Sequence, residues 1–193
     1  LMSHQESDAT REEASRFVVE SEDKDKVVPA AEDALAGARD ILAERFSDDP
    51  EARRCVRKRY GAEAVLCSKV ITGQDKDPGA AKFSDYFEWS EPLSKVPSHR
   101  LLAMRRGEKE GHLLCRIRID EVAAVATLNR LFVKGNGAAG REVALACEDS
   151  FKRLLSSSLE TESRLAAKKL ADEAAIQVFG ENIRELLMAA PLG

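Results

Sequence analysis

His112-Leu113-Leu114-Cys115-Arg116-Ile117-Arg118-Ile119, with the stretch Asp120–Phe132 behind it, decides the fold class. The first eight residues alternate: Leu113, Cys115, Ile117 and Ile119 fall on one side, His112, Arg116 and Arg118 on the other. That period of two is the signature of a strand with one buried face. At Asp120 the period changes. Asp120 is a good N-cap, and the residues after it recur at helical spacing as far as Val133. One strand cannot stand alone, so a partner is expected in Ala64–Ile71, which reads equally as helix or strand, or in Glu88–Ser90.

Outward from that junction the chain reads as helix. Ala, Leu, Glu, Lys and Arg dominate, aromatic residues make up only 5%, and the five dominant types lose little rotamer freedom in a helix. Leu35, Ala38, Leu42 and Phe46 recur at three- and four-residue spacing after Pro29. Asp49-Pro50-Glu51 supplies an N-cap, a first-turn proline and an acid at the positive helix end, and Gly61 is expected to end or interrupt the helix that follows. Pro92 and Pro97 bracket a turn, Ser98 is expected to cap a helix to Lys109, and Gly111 closes it. In the last third, Phe151, Leu154, Leu155, Leu165, Ile176, Phe179, Ile183, Leu186 and Leu187 trace an apolar stripe. A capping box of Ser157 and Glu160 would divide that stripe into two helices. The expectation is a mainly α, multi-helical protein with a minor β-hairpin and a long C-terminal helical segment. Residues 1–28 form a polar N-terminal segment or linker with a short helix near Glu12–Val19, and residues 29–193 form the helical body.

The formal net charge of -4 argues against a wholly basic nucleic-acid binder, but the charge is segregated. Acids crowd the first 25 residues, while Arg53, Arg54, Arg57, Lys58 and Arg59 form one basic cluster. Arg100, Arg105, Arg106, Lys109, Arg116 and Arg118 form another. These six can meet phosphates without reading sequence, and they are the candidate nucleic-acid-binding residues. The plainer alternative is a solvated surface or ion pairs to Glu91, Glu108, Glu110 and the acidic N-terminal region. Phe83, Tyr86, Phe87 and Trp89 can stack on bases, although packing against the neighbouring helix needs less.

Other chemistry finds little support. Gly135-Asn136-Gly137-Ala138-Ala139-Gly140 spells G-x-G-x-x-G, but the segment before it is helical, so it reads as a helix–helix loop rather than a dinucleotide site. Glu44, Asp48, Asp49 and Glu51 sit at a helix junction, where capping explains them. Ser98-His99 does not orient as a nucleophile and base. Cys55, Cys67, Cys115 and Cys147 are too widely spaced for a zinc site, and the three histidines are scattered. The expectation is no catalytic residue, no metal and no cofactor. The cysteines are expected to be buried free thiols, consistent with a cytoplasmic protein, and no run is apolar enough to span a membrane.

Residues 80–111, AAKFSDYFEWSEPLSKVPSHRLLAMRRGEKEG, carry a resemblance. Lys82, Phe83, Asp85, Tyr86, Phe87, Glu91, Pro92, Pro97, Ser98, His99, Arg100, Leu102, Ala103, Arg106, Gly107, Glu110 and Gly111 match the corresponding segment of the Tex family of transcription accessory proteins. The flanks 31–49 and 174–193 resemble that family too, whereas the first 28 residues match poorly and Trp89 stands where many members carry Tyr. The resemblance implies a piece of a multidomain nucleic-acid-binding factor, lying before an RNase H-like domain. The RNA-binding helix-hairpin-helix and OB-fold domains would lie further on. It implies a non-catalytic scaffold that positions neighbouring domains, with nucleic acid and RNA polymerase as partners. An autonomous protein-interaction module contacting the transcription machinery is the alternative.

Overall fold

A computed structural model describes residues 2, 3, 5, 9–19 and 28–188. It contains helices α1 (Thr10–Ser15), α2 (Ala31–Asp48), α3 (Pro50–Glu63), α4 (Ser98–Lys109), α5 (Glu121–Phe132), α6 (Ala138–Asp149) and α7 (Ser156–Met188), and strands β1 (Val65–Val70), β2 (Glu88–Pro92) and β3 (Leu113–Arg118). The protein is mainly α, as its composition predicts. It divides into two compact units, residues 1–59 with 120–159 and residues 60–119 with 160–193.

The first unit is helical. Phe46 of α2 stacks on Phe132 of α5 with ring centroids 4.0 Å apart. Val56, Leu128, Val143, Cys147, Phe151 and Leu155 are fully buried in this unit. Asp49 accepts the Ala52 N–H at 2.8 Å, and Asp120 accepts the Ala123 N–H at 3.1 Å, so both expected caps form. The glycine loop lies between α5 and α6, as the helix before it requires. Gly140 sits inside α6, where a Cβ would stand 2.0 Å from the Gly135 carbonyl oxygen. The buried side chain of Gln5 pins the same loop: its amide donates to the Phe132 carbonyl at 2.8 Å and its oxygen accepts from the Lys134 N–H. The short helix near Glu12–Val19 appears as α1, with Thr10 and Ala14 buried; the expected linker at 20–26 lies outside the described residues.

The second unit is built on a three-stranded antiparallel sheet in the order β2-β1-β3. The ambiguous stretch after Ala64 is its central strand, so both proposed partners of β3 belong to one sheet rather than a single hairpin. Ser68 lies opposite both Trp89 and Cys115, and Cys67 opposite both Ser90 and Arg116. Directly opposed residues share a face. One face therefore carries Leu66, Ser68, Trp89, Glu91, Leu113, Cys115 and Ile117. The other carries Val65, Cys67, Lys69, Glu88, Ser90, Leu114, Arg116 and Arg118.

Several local expectations are corrected. Gly61 does not end α3, which runs to Glu63, because nothing near it opposes continuation. Ser98 is the first residue of α4 rather than its cap. The Arg100 and Leu101 N–H groups both reach the Pro97 carbonyl at 3.0 Å, so the helix starts one residue early. Gly111 does close α4, with φ +80°. Ser157 donates to the Leu154 carbonyl instead of capping, and α6 passes through a π-helical turn at Ser150–Leu155 into a single α7. The distal stripe residues Ile176, Phe179, Ile183, Leu186 and Leu187 are 40% to 79% exposed. Cys115 and Cys147 are buried free thiols, but Cys55 and Cys67 are half-exposed.

Candidate nucleic-acid interface

The six basic residues singled out by sequence do not form one surface. Alternation along β3 buries Leu113, Cys115 and Ile117 and exposes Leu114, Arg116 and Arg118. Helix α4 covers the buried side, where the Cys115 thiol lies 3.7 Å from the Met104 carbonyl oxygen. Gly107 permits the close approach: a Cβ there would stand 2.7 Å from Leu113 Cδ1 and 3.2 Å from Phe83 Cδ1. Arg100, Arg105, Arg106 and Lys109 therefore ride on the helix above one face, and Arg116 and Arg118 project from the opposite face.

Several of these charges are already matched. Arg100 donates to Glu91 at 2.6 Å, and its guanidinium lies 4.6 Å from the centre of the Trp89 ring. Trp89 in turn meets Tyr86 edge-on at 6.1 Å, and Phe83 is buried. The aromatic cluster thus serves packing, as the plainer sequence reading holds. Arg105 donates to Glu108 at 2.6 Å. Lys82 pairs with Glu110 at 2.6 Å, and that hydrogen bond holds the Glu110 carboxyl below its usual range. Arg106, Lys109 and Arg118 are exposed and form no ion pair among the described residues.

Sequence reasoning missed the far edge of β3. Ile71 donates to the His112 carbonyl at 2.9 Å, so the bonded pairs alternate through Lys69–Leu114 and Cys67–Arg116. The backbone groups of Cys115 and Ile117 consequently point away from β1. Helix α7 meets them with side chains: Glu160 accepts the Ile117 N–H at 3.0 Å, and Arg164 donates to the Cys115 carbonyl. Arg164 also contacts both carboxylate oxygens of Glu108 at 2.6 Å. Two side chains thereby satisfy an edge that would otherwise invite another strand. Burial here pushes the Cys115 thiol pKa up. No cluster of His, Cys, Asp and Glu suited to a metal ion occurs among the described residues, and no described helix is long and apolar enough to cross a membrane.

Comparison with known proteins agrees with the resemblance carried by residues 80–111. The family described as "Tex central region-like" matches residues 5–179, taking in part of the N-terminal segment. "Protein YhgF" of Escherichia coli is 38% identical over 181 residues, 88% of this chain and 23% of the relative. "Transcriptional accessory protein Tex" of Neisseria gonorrhoeae is 36% identical over 174 residues, 86% of this chain and 22% of the relative. The human "S1 RNA-binding domain-containing protein 1" is 26% identical over 178 residues, 86% of this chain and 18% of the relative. The chain thus spans less than a quarter of each of these relatives. With its family match running over most of its length, the chain belongs to the Tex central-region family.

Proposed function

We propose that this region is a non-catalytic helical scaffold of a nucleic-acid-binding transcription accessory factor. It positions neighbouring domains and adds weak, sequence-insensitive contacts to phosphates. The observation that carries the reading is α7, a single helix of 33 residues whose distal half is exposed. At 1.5 Å per residue such a helix reaches about 50 Å, the length of a spacer rather than of a core element. The printed names of two relatives, a transcriptional accessory protein and an S1 RNA-binding domain protein, support the nucleic-acid side of the reading. Among the described residues the acids Glu51, Glu108 and Glu160 are bonded to arginines or to backbone, and none of the described acids gathers into a cluster of the kind two-metal chemistry uses.

The test is incubation of the purified chain with labelled single- and double-stranded RNA and DNA in the presence of magnesium or manganese. The expected result is intact substrate. Cleavage that co-elutes with the protein peak through repurification contradicts the non-catalytic reading.

A second reading rests on the stripe Ile176, Phe179, Ile183 and Leu186. Spacings of three and four place these side chains on one face, the pattern of a helix that meets an apolar partner. A protein-interaction module contacting the transcription machinery would use that face. Retention of RNA polymerase by the nuclease-treated chain, lost in Ile176→Ser/Ile183→Ser, would favour this reading over direct nucleic-acid contact.

A further inference from the structure

We infer that Asn136-Gly137, in the loop between α5 and α6, is a site of spontaneous backbone modification, where Asn136 closes onto the Gly137 nitrogen and opens to aspartate and isoaspartate. The chain has three asparagines. Asn129 lies inside α5 before Arg130, and Asn182 inside α7 before Ile183. There the helix engages the N–H of the following residue, and a bulky side chain crowds that nitrogen. Asn136 lies outside any helix and is followed by a glycine, whose nitrogen has no Cβ beside it. Asn136 is exposed. Among the described residues neither its carboxamide nor the Gly137 N–H has a hydrogen-bond partner. The carbonyl of the peptide that joins them accepts from the Arg141 guanidinium at 3.3 Å. A cation at that oxygen stabilises the negative charge that develops as the Gly137 N–H loses its proton.

The reaction consumes only water. The Gly137 nitrogen gives its proton to solvent hydroxide and bonds to Asn136 Cγ. The Cγ–N bond of the carboxamide breaks, and ammonia leaves with a proton from water. Water then opens the five-membered imide at either carbonyl. Opening at Cγ restores the main chain and leaves aspartate. Opening at the main-chain carbonyl routes the chain through Cβ and Cγ, which is isoaspartate.

The two products meet different surroundings. Aspartate places a carboxylate just before α6, whose first turn carries no acid and whose N-cap, Gly137, offers no side chain. Negative charge is favourable at that helix end. Isoaspartate instead adds a methylene to a loop pinned on both sides. Gly140 comes so close that a Cβ would stand 2.0 Å from the Gly135 carbonyl oxygen, and its N–H donates to the Gln5 carbonyl at 3.1 Å. Gln5 also holds the Phe132 carbonyl at 2.8 Å. A longer chain between Gly135 and Gly140 does not keep this packing, so isoaspartate loosens the joint between α5 and α6.

The experiment ages the folded chain in mildly alkaline buffer and follows the tryptic peptide 135–141 by mass spectrometry. Isoaspartate is counted by methyl transfer from labelled S-adenosylmethionine with an isoaspartyl methyltransferase. Asn136 should convert to both products while Asn129 and Asn182 persist. Gly137→Ala should slow the conversion several-fold. Asn136→Gln, which keeps Gly137, should suppress it even if the alanine variant folds poorly. Asn136→Asp should melt at or above the wild-type temperature, and the aged, isoaspartate-containing protein below it. Persistence of Asn136 in the folded chain, while a synthetic peptide 132–141 converts in the same buffer, overturns the assignment. Conversion of Asn129 or Asn182 at the same rate does so too. Equal melting of the aged protein and Asn136→Asp overturns the loosening of the joint.

Discussion

The guanidinium of Arg164 on α7 holds both carboxylate oxygens of Glu108 on α4 at 2.6 Å while donating to the Cys115 carbonyl at the edge of β3. One side chain thus joins two helices and a strand within the second unit. Both partners are less than a quarter exposed, so their loss is not relieved freely by water. Arg164→Ala should destabilise the protein by about 1–3 kcal/mol, the cost of leaving a part-buried carbonyl and carboxylate unmatched. Urea denaturation measures it. A double-mutant cycle with Glu108→Ala should show coupling, and additive losses would mean the pair is incidental.

Two glycines should respond in opposite directions. Gly140→Ala places a methyl 2.0 Å from the Gly135 carbonyl, backbone that must move. The expected loss is about 1–3 kcal/mol, as in other overpacked sites. Gly61 lies inside α3 with open space around it, so Gly61→Ala should gain about 0.5–1 kcal/mol from helix propensity. Thermal melts decide both signs. Nucleotide addition should leave the Gly140 variant and the wild type equally unshifted, since the loop is packing rather than a phosphate cradle.

Burial pushes the Cys147 thiol from 9.0 up to about 12. The folded protein therefore keeps this proton where the unfolded chain releases it. Stability is complete below pH 9 and falls as pH rises toward the folded value, by about 1.4 kcal/mol per unit at most. Denaturation at pH 8, 9 and 10 should show this fall, and Cys147→Ala should reduce it. A thiol reagent under native conditions should reach half-exposed Cys55 and Cys67 and spare Cys115 and Cys147.

The distal half of α7 should be energetically separable from the core. Ile176 is 70% and Phe179 66% exposed, so Ile176→Ser and Phe179→Ser should each change stability by less than about 0.5 kcal/mol. Their amides should exchange with deuterium faster than those around fully buried Leu159. Protection of residues 176–188 equal to that of the core would show the stripe to be covered.

Several local signals were legible in the sequence, although Gly61 and Ser98 misled, and distant pairings were not legible. The alternation of Leu113, Cys115 and Ile117, the caps at Asp49 and Asp120, and the left-handed Gly111 depend on neighbouring residues, and all were readable from spacing. Glu160 shows the limit. Three residues after Ser157 it fits a capping box, yet it serves the Ile117 amide, a partner 43 residues away. Likewise the pairing of Lys69 with Glu88 across the sheet follows only from the register of β1 against β2, which the sequence alone does not show. The basic run Arg100–Arg118 looked continuous in sequence, but alternation in β3 and the placement of α4 send its two halves to opposite faces of one sheet.

The most direct test of the central claim, weak backbone contact without sequence readout, is the affinity of the chain for a panel of single-stranded RNAs of equal length and unrelated sequence, measured at two salt concentrations. The account predicts dissociation constants on the order of 10⁻⁴–10⁻⁶ M at physiological salt, alike across the panel and weakening together as salt rises. A sequence bound more than about tenfold tighter than the rest, or binding indifferent to salt, would contradict it.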